Sequence, residues 1–193
     1  MGKDWQDCIV TLIDLVGVKE MAQQGIGSEV MLKLHKIVMQ EKGNLHATKH
    51  VYAWNDSVLL LSYVDEGAAL FESAMREADK LKRLVDTLAS SYAMPCSYAI
   101  AVKGRIFPSA SNGATHANGP SITVIKASSW AMANVFEIER TLGKEMKKPW
   151  YVDGWIKENI HTSQKSEVRS IRMLPKNKKR PVYVFDGYLW KKK

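Results

Sequence analysis

The run DCIVTLIDL, Asp7 to Leu15, is apolar enough to lie buried on both faces of a sheet, yet it carries a carboxylate, Asp14, one residue from its end. A buried carboxylate without a partner costs several kcal/mol or shifts its pKa until it is neutral. Lys19 is the one cation close by in sequence, while Gly17 and Val18 offer backbone N–H groups at the start of the segment that follows. Capping that helix is one role for Asp14. A second carboxylate at the same place gives it another. In YAWNDSVLLLSYV, Tyr52 to Val64, an Asn55-Asp56 pair separates two strand-like runs, and both residue types suit a hairpin turn. A first strand commonly sits beside the hairpin that follows it, so Asp14 and Asp56 are expected to meet at one sheet edge although 42 residues separate them. Two carboxylates with a helix start beside them suit a pair of divalent cations and a phosphate group.

The rest of the chain fits around this pair. In VKEMAQQGIGSEVMLKLHKIVMQEKG the residues Val30, Leu34, Ile37 and Val38 fall on one helical face, with Ser28 as N-cap and Gly43 as stop. The segment DEGAALFESAMREADKLKRLVDTLASSY has the apolar spacing of a long amphipathic helix. The first ninety residues therefore read β-α-β-β-α. CSYAIAVKG is a further strand ending at Gly104, and SASNGATHANGP reads as a flexible turn region. SITVIKASSWAMANVFEIERTLGK begins β-like and becomes helical, with Gly143 as C-cap. KPWYVD is a short strand, GWIKENI a short helix, and EVRSIRML with RPVYVFDGY a closing hairpin. This order predicts one α+β domain over residues 1–193, a mixed, mostly antiparallel sheet with helices packed on it.

Bulk properties exclude several classes. The hydrophobic fraction of 46% and charged fraction of 25% are those of a globular protein. No apolar run reaches the roughly 18 residues that a membrane helix needs, and MGKDWQDC lacks a secretion signal, so a cytoplasmic protein without membrane contact is expected. Cys8 and Cys96, each inside an apolar run, suit reduced thiols. The net charge of +8 gathers late, in KKPW, RSIRMLPKNKKR and WKKK, where it serves either an anionic partner or the protection of a sheet edge. His46 and His50, four apart, have no acid or thiol at ligand spacing.

VTLIDLVGVK resembles the first signature of the class III nucleotide cyclases, and YAWNDSVLLL resembles their second, a hairpin turn carrying an Asp. CSYAIAVKG and NGPSITVIKA are similar to the later strand motifs, so the resemblance runs in order from about Cys8 to about Glu137. It implies a ferredoxin-like core, a nucleoside triphosphate substrate, a homodimer, and two Mg²⁺ or Mn²⁺ ions held by Asp14 and Asp56 with the Leu15 carbonyl. The amides of Gly17 and Val18 would take the β- and γ-phosphates, and Lys19, in place of the family's usual Thr, adds a phosphate contact. Neither membrane nor nucleic acid is the expected partner, and a downstream effector would act through the cyclic nucleotide.

Two departures matter. The family's Asn and Arg, four residues apart, stabilise the pentavalent phosphorus, and SITVIKASSW contains no such pair. Lys126 with Thr123 lies nearest, Arg105 follows Gly104, and Lys176 on the late hairpin is a further cation for the task. Four residues before the hairpin Asp, purine cyclases carry Lys or Glu; here stands Tyr52, and His116 replaces the partnering Asp or Cys. This resembles the pyrimidine cyclases of bacterial antiphage defence, which make cyclic UMP or cyclic CMP. The alternatives are a catalytically degenerate nucleotide-binding domain, a purine cyclase, and a nucleic-acid-binding domain supported by charge alone.

Overall fold

The computed structural model describes residues 5–64, 68–106, 116–119, 122–125, 129–143, 148–160, 165–173, 178–187 and 189. Strand β1 (Gln6–Val16) is an interior strand, third in the order of a seven-stranded sheet. It is flanked by β3 (Ser57–Tyr63) and β4 (Cys96–Ile106), both antiparallel to it, with β2 (Thr48–Trp54) beyond β3. On the other side β7 (Trp150–Val152) pairs parallel to β4, and β9 (Lys178–Phe185) and the edge strand β8 (Glu167–Met173) close the order β2-β3-β1-β4-β7-β9-β8. A separate two-stranded sheet joins β5 (His116–Gly119) and β6 (Ile122–Ile125). The helices are α1 (Val18–Gln23), α2 (Gly27–Glu41), α3 (Ala68–Ser91), α4 (Trp130–Leu142) and α5 (Gly154–Asn159). The expected α+β fold with a ferredoxin-like core is the one observed.

Period-two alternation in the central strands builds two cores. Ile9, Ile13 and Leu15 of β1, with Val58 and Leu60 of β3 and Ala99 and Ala101 of β4, pack in one cluster with Val30 and Leu34 of α2 and Met75, Leu81 and Val85 of α3. Val10 and Leu12, with Leu59, Leu61, Ile100 and Val102, pack in the other with Ala131, Met132, Val135 and Ile138 of α4. Every one of these β1 side chains is at most 1% exposed, so each contributes about 1.5–3 kcal/mol of burial. β1 thus reads as a continuous apolar run because both of its faces are covered.

Several local expectations are corrected. The segment after β1 forms two helices rather than one, because Gly25, at φ 81, turns the chain and Gly27 lets α2 start against α1. A Cβ on Gly27 would lie 2.7 Å from the Ala22 Cα, and the α2 N-cap is Ile26, not Ser28. Gly104 does not end its strand: β4 continues to Ile106, and the missing side chain admits Ala131 of α4, which a Cβ would meet at 2.6 Å. Within the expected turn region, residues 116–119 are strand β5. The hairpin is held from below by Glu77 of α3. Its carboxylate accepts hydrogen bonds from the backbone N–H of His46, Ala47 and Thr48 at 2.7, 2.8 and 3.0 Å, and from the Thr48 hydroxyl at 2.9 Å. Among the described residues no helix is long and apolar enough to cross a membrane.

Candidate functional site

Asp14 continues the Val10, Leu12 series, so it lies on the α4 side of the sheet where β1 runs out. Its cross-strand neighbours are Ser57 on β3 and Tyr98 on β4. The Ser57 hydroxyl donates to Asp14 Oδ1 at 2.5 Å. Tyr98, 7% exposed, is within hydrogen-bonding reach of the same carboxylate and donates to Glu139 Oε1 of α4 at 3.0 Å. Asp14 does not cap α1, whose N-cap is Gly17 in left-handed conformation (φ 100) without a side-chain hydrogen bond.

Asp56 reaches the same point through the hairpin turn. Asn55 takes the positive φ of 48 that such a turn requires, and the Asp56 carbonyl accepts from the Leu15 N–H at 3.1 Å, tying the turn to the end of β1. His35 Nε2 of α2 lies 3.1 Å from the Asn55 carbonyl oxygen and fixes the turn from the helix side. The two carboxylates therefore converge as expected, at the end of a central strand.

An open cleft of about 260 Å³ joins these groups. Asp14, Leu15, Gly17, Val18, Lys19 and Asp56 all line it, together with Tyr98, Glu20 and Gly143. Gly17 cannot be replaced cheaply: its φ is left-handed, and a Cβ would stand 2.9 Å from Pro95 Cδ.

The electrostatics are those of crowded acids. Burial pushes the Asp14 carboxyl up to about 6, with the Ser57 hydrogen bond opposing and the negative charges of Asp56 and Glu139 adding to the rise. Glu139 is also raised, by burial first and by Asp56 as well, against the Tyr98 hydrogen bond. Lys19 is the one cation among the described residues lining the cleft. Such a set of oxygen donors with surplus negative charge fits a hard divalent cation, Mg²⁺ or Mn²⁺. Among the described residues no three His, Cys, Asp or Glu side chains are grouped to hold an ion by themselves, so two carboxylates would bind it and substrate phosphates and water would complete the shell.

Other expected residues fall elsewhere. Arg105 lies seven residues beyond Tyr98 on β4, roughly 23 Å along the strand, and pairs with Asp7 at 3.2 Å. Within one chain it does not reach Asp14, because the strand that carries it runs away from the cleft. Lys126 and Lys176 lie outside the described residues. Tyr52 is on the α4 side, the same sheet face as Asp14, but it is 5% exposed, stacked on His50 with ring centroids 6.2 Å apart, and clustered with α4 residues. Its position on the face matches the expectation; its burial makes it a wall rather than an open base contact. His50 is occupied with Tyr52 and Tyr63, so a His46–His50 metal pair finds no support.

Ser57, Tyr98 and Glu139 are additions that the sequence reading does not supply. Ser57 directly follows the turn Asp, and Tyr98 becomes visible once the β1–β4 register is known. Glu139 carries the weakest signal, an acid beside the apolar stripe Val135, Ile138, Leu142.

The fold is that of the class III adenylyl and guanylyl cyclase catalytic domains. The adenylyl cyclase CyaB from P. aeruginosa superposes with a TM-score of 0.66 at 9% identity, over 96% of this chain and 96% of that one. The guanylyl cyclase Cya2 gives 0.58 at 14% identity, over 97% and 94%. A dimeric guanylyl cyclase domain from the aquatic fungus Blastocladiella emersonii gives 0.61 at 11%, over 97% and 99%. At these identities the likeness is one of fold. No family model matches the sequence, and no curated protein matches it either.

Proposed function

We propose that this chain is a nucleotide cyclase that converts a nucleoside triphosphate to its 3′,5′-cyclic monophosphate and pyrophosphate. The observation that carries the reading is the convergence of Asp14 and Asp56, 42 residues apart, on one cleft with the Gly17 turn. Two divalent cations would acidify the ribose 3′-hydroxyl and neutralise the departing pyrophosphate. Asp14, Asp56 and the Leu15 carbonyl would hold them. The Gly17 and Val18 amides and Lys19 take the β- and γ-phosphates. The 3′-oxygen forms a bond to the α-phosphorus, the bond to the bridging oxygen of the β-phosphate breaks, and the hydroxyl proton leaves to solvent.

Because Lys19 is the one described cation in the cleft, charge on the pentavalent phosphorus calls for a further cation, from Lys126, Lys176 or a second copy of the chain. A homodimer supplies the last. Trp130 is 64% and Phe136 37% exposed on α4, and Phe136 lies 6.2 Å from Trp54, two residues from Asp56. Phe136 and Trp54 bring apolar surface near the Asp56 turn, while Trp130 lies at the other end of α4, by Gly104; an exposed apolar face along this helix suits a second copy.

The assignment of the substrate to the pyrimidines, UTP or CTP, rests on the sequence resemblance alone, in which Tyr52 stands where purine cyclases carry Lys or Glu; the ring itself, buried against α4, is not a base contact. The product would be a second messenger read by a separate effector, as in the antiphage systems that the sequence resembles, and the protein would work in the cytoplasm. A second reading, nucleotide binding without turnover, is favoured by the single cation of the described cleft. Asp56→Ala separates the two: cyclisation predicts that pyrophosphate release falls at least a hundredfold with the fold and dimer intact. Unchanged release overturns the two-cation account.

A further inference from the structure

The Asp14 carboxylate has two oxygens, and Ser57 Oγ–H occupies Oδ1. Oδ1 keeps one lone pair, so the second oxygen is the better placed of the two for a cation. Directly across the strand pair stands Tyr98, within hydrogen-bonding reach of Asp14, with a single hydroxyl proton to give. That proton goes to Glu139 Oε1 at 3.0 Å. Tyr98 is 7% exposed, so water offers its hydroxyl little alternative. Glu139 sits on α4, one residue from Ile138, which is 2% exposed and anchors that helix on the sheet.

We propose that Glu139 is a positioning residue: by accepting the Tyr98 hydroxyl proton it keeps that hydroxyl off Asp14 and leaves the second Asp14 oxygen open for a divalent cation. This inference rests on the reading of Asp14 as a cation ligand. It assigns α4 a part in the site, since the helix sets where Glu139 stands. When Glu139 cannot take the proton, Tyr98 turns to Asp14, and its hydrogen bond competes with the cation for the carboxylate's lone pairs. The gain or loss of one formal charge near the ion is a separate effect, and the two are separable by removing the hydroxyl.

The test is a double-mutant cycle on Mn²⁺ binding to the full chain without nucleotide, read by the electron paramagnetic resonance signal of free Mn²⁺. Asp14→Asn first establishes that the binding measured is at this site. Glu139→Leu, which removes the acceptor where an amide would keep one, is expected to weaken Mn²⁺ binding by about tenfold or more. Tyr98→Phe alone is expected to leave it within about twofold of wild type, and Tyr98→Phe in the Glu139→Leu background is expected to recover most of the loss. Recovery is not expected if Glu139 acts through charge or through packing of α4, since removing the Tyr98 hydroxyl restores neither. A double variant as weak as Glu139→Leu, or a Glu139→Leu variant that binds like wild type, overturns the inference while leaving Asp14 as ligand. Wild type and Asp14→Asn binding Mn²⁺ alike overturns both the inference and the cation reading beneath it.

Discussion

Replacing Asp14 by Asn should make the cation-free protein more stable, and the structure sets the size of the gain. Burial, helped by Asp56 and Glu139, raises the folded-state carboxyl from 3.8 to about 6. At 1.36 kcal/mol per unit this corresponds to about 3 kcal/mol, which we take as about 2–3 after allowing for the partly open cleft. The sign follows from proton linkage. Between pH 4 and 6 the folded chain binds more protons than the unfolded one, so stability falls as pH rises through that window and stays low above it. The amide of the Asp14→Asn variant retains an acceptor for Ser57 and carries no charge. At pH 8 with chelator present, the variant should melt about 4–10 °C higher than wild type, and the difference should vanish near pH 4. Millimolar Mn²⁺ should then raise the melting temperature of wild type and leave that of the variant unchanged. Thermal denaturation across pH, with chelator and with Mn²⁺, measures all of this. A variant less stable than wild type at pH 8 in chelator would mean that the Asp14 carboxylate serves the fold and carries no buried-charge cost.

Gly104→Val should destabilise the domain by about 1–3 kcal/mol in urea, because a Cβ there meets Ala131 at 2.6 Å and α4 must move; cyclase activity should fall with it. Glu77→Ala should cost about 3–5 kcal/mol, since it leaves three backbone donors and the Thr48 hydroxyl without their carboxylate, and hydrogen exchange should show the start of β2 opening first.

Much of this arrangement is legible in the sequence. The apolar run of β1, the Asn55-Asp56 turn and the amphipathic pattern of α3 are local signals, and their order places Asp14 beside Asp56 without any coordinate. The cleft residues Asp14, Leu15, Gly17, Val18, Lys19 and Asp56 share short stretches that carry their own geometry. What sequence does not convey depends on register and close approach. Tyr98 faces Asp14 only because β1 and β4 pair as they do, and Glu139 joins them only because Gly104 lets α4 settle on the sheet. Arg105 departs from expectation for the same reason: it is close to Gly104 in sequence, whereas β4 carries it to the opposite end of the sheet from the cleft. The spacing of Tyr52 from Asp56 fixes the face of the strand but not the depth at which α4 buries the ring.

Incubating the purified chain with equimolar ATP, GTP, UTP and CTP plus Mn²⁺ and identifying the products by mass shows whether it is a cyclase and for which base. The expected products are a 3′,5′-cyclic pyrimidine nucleotide and one equivalent of pyrophosphate, from wild type and not from Asp56→Ala. Cyclic AMP or cyclic GMP as the main product would contradict the substrate assignment to pyrimidines. Absence of any cyclic product, with the four triphosphates intact and the protein folded, would contradict the assignment of cyclase activity itself.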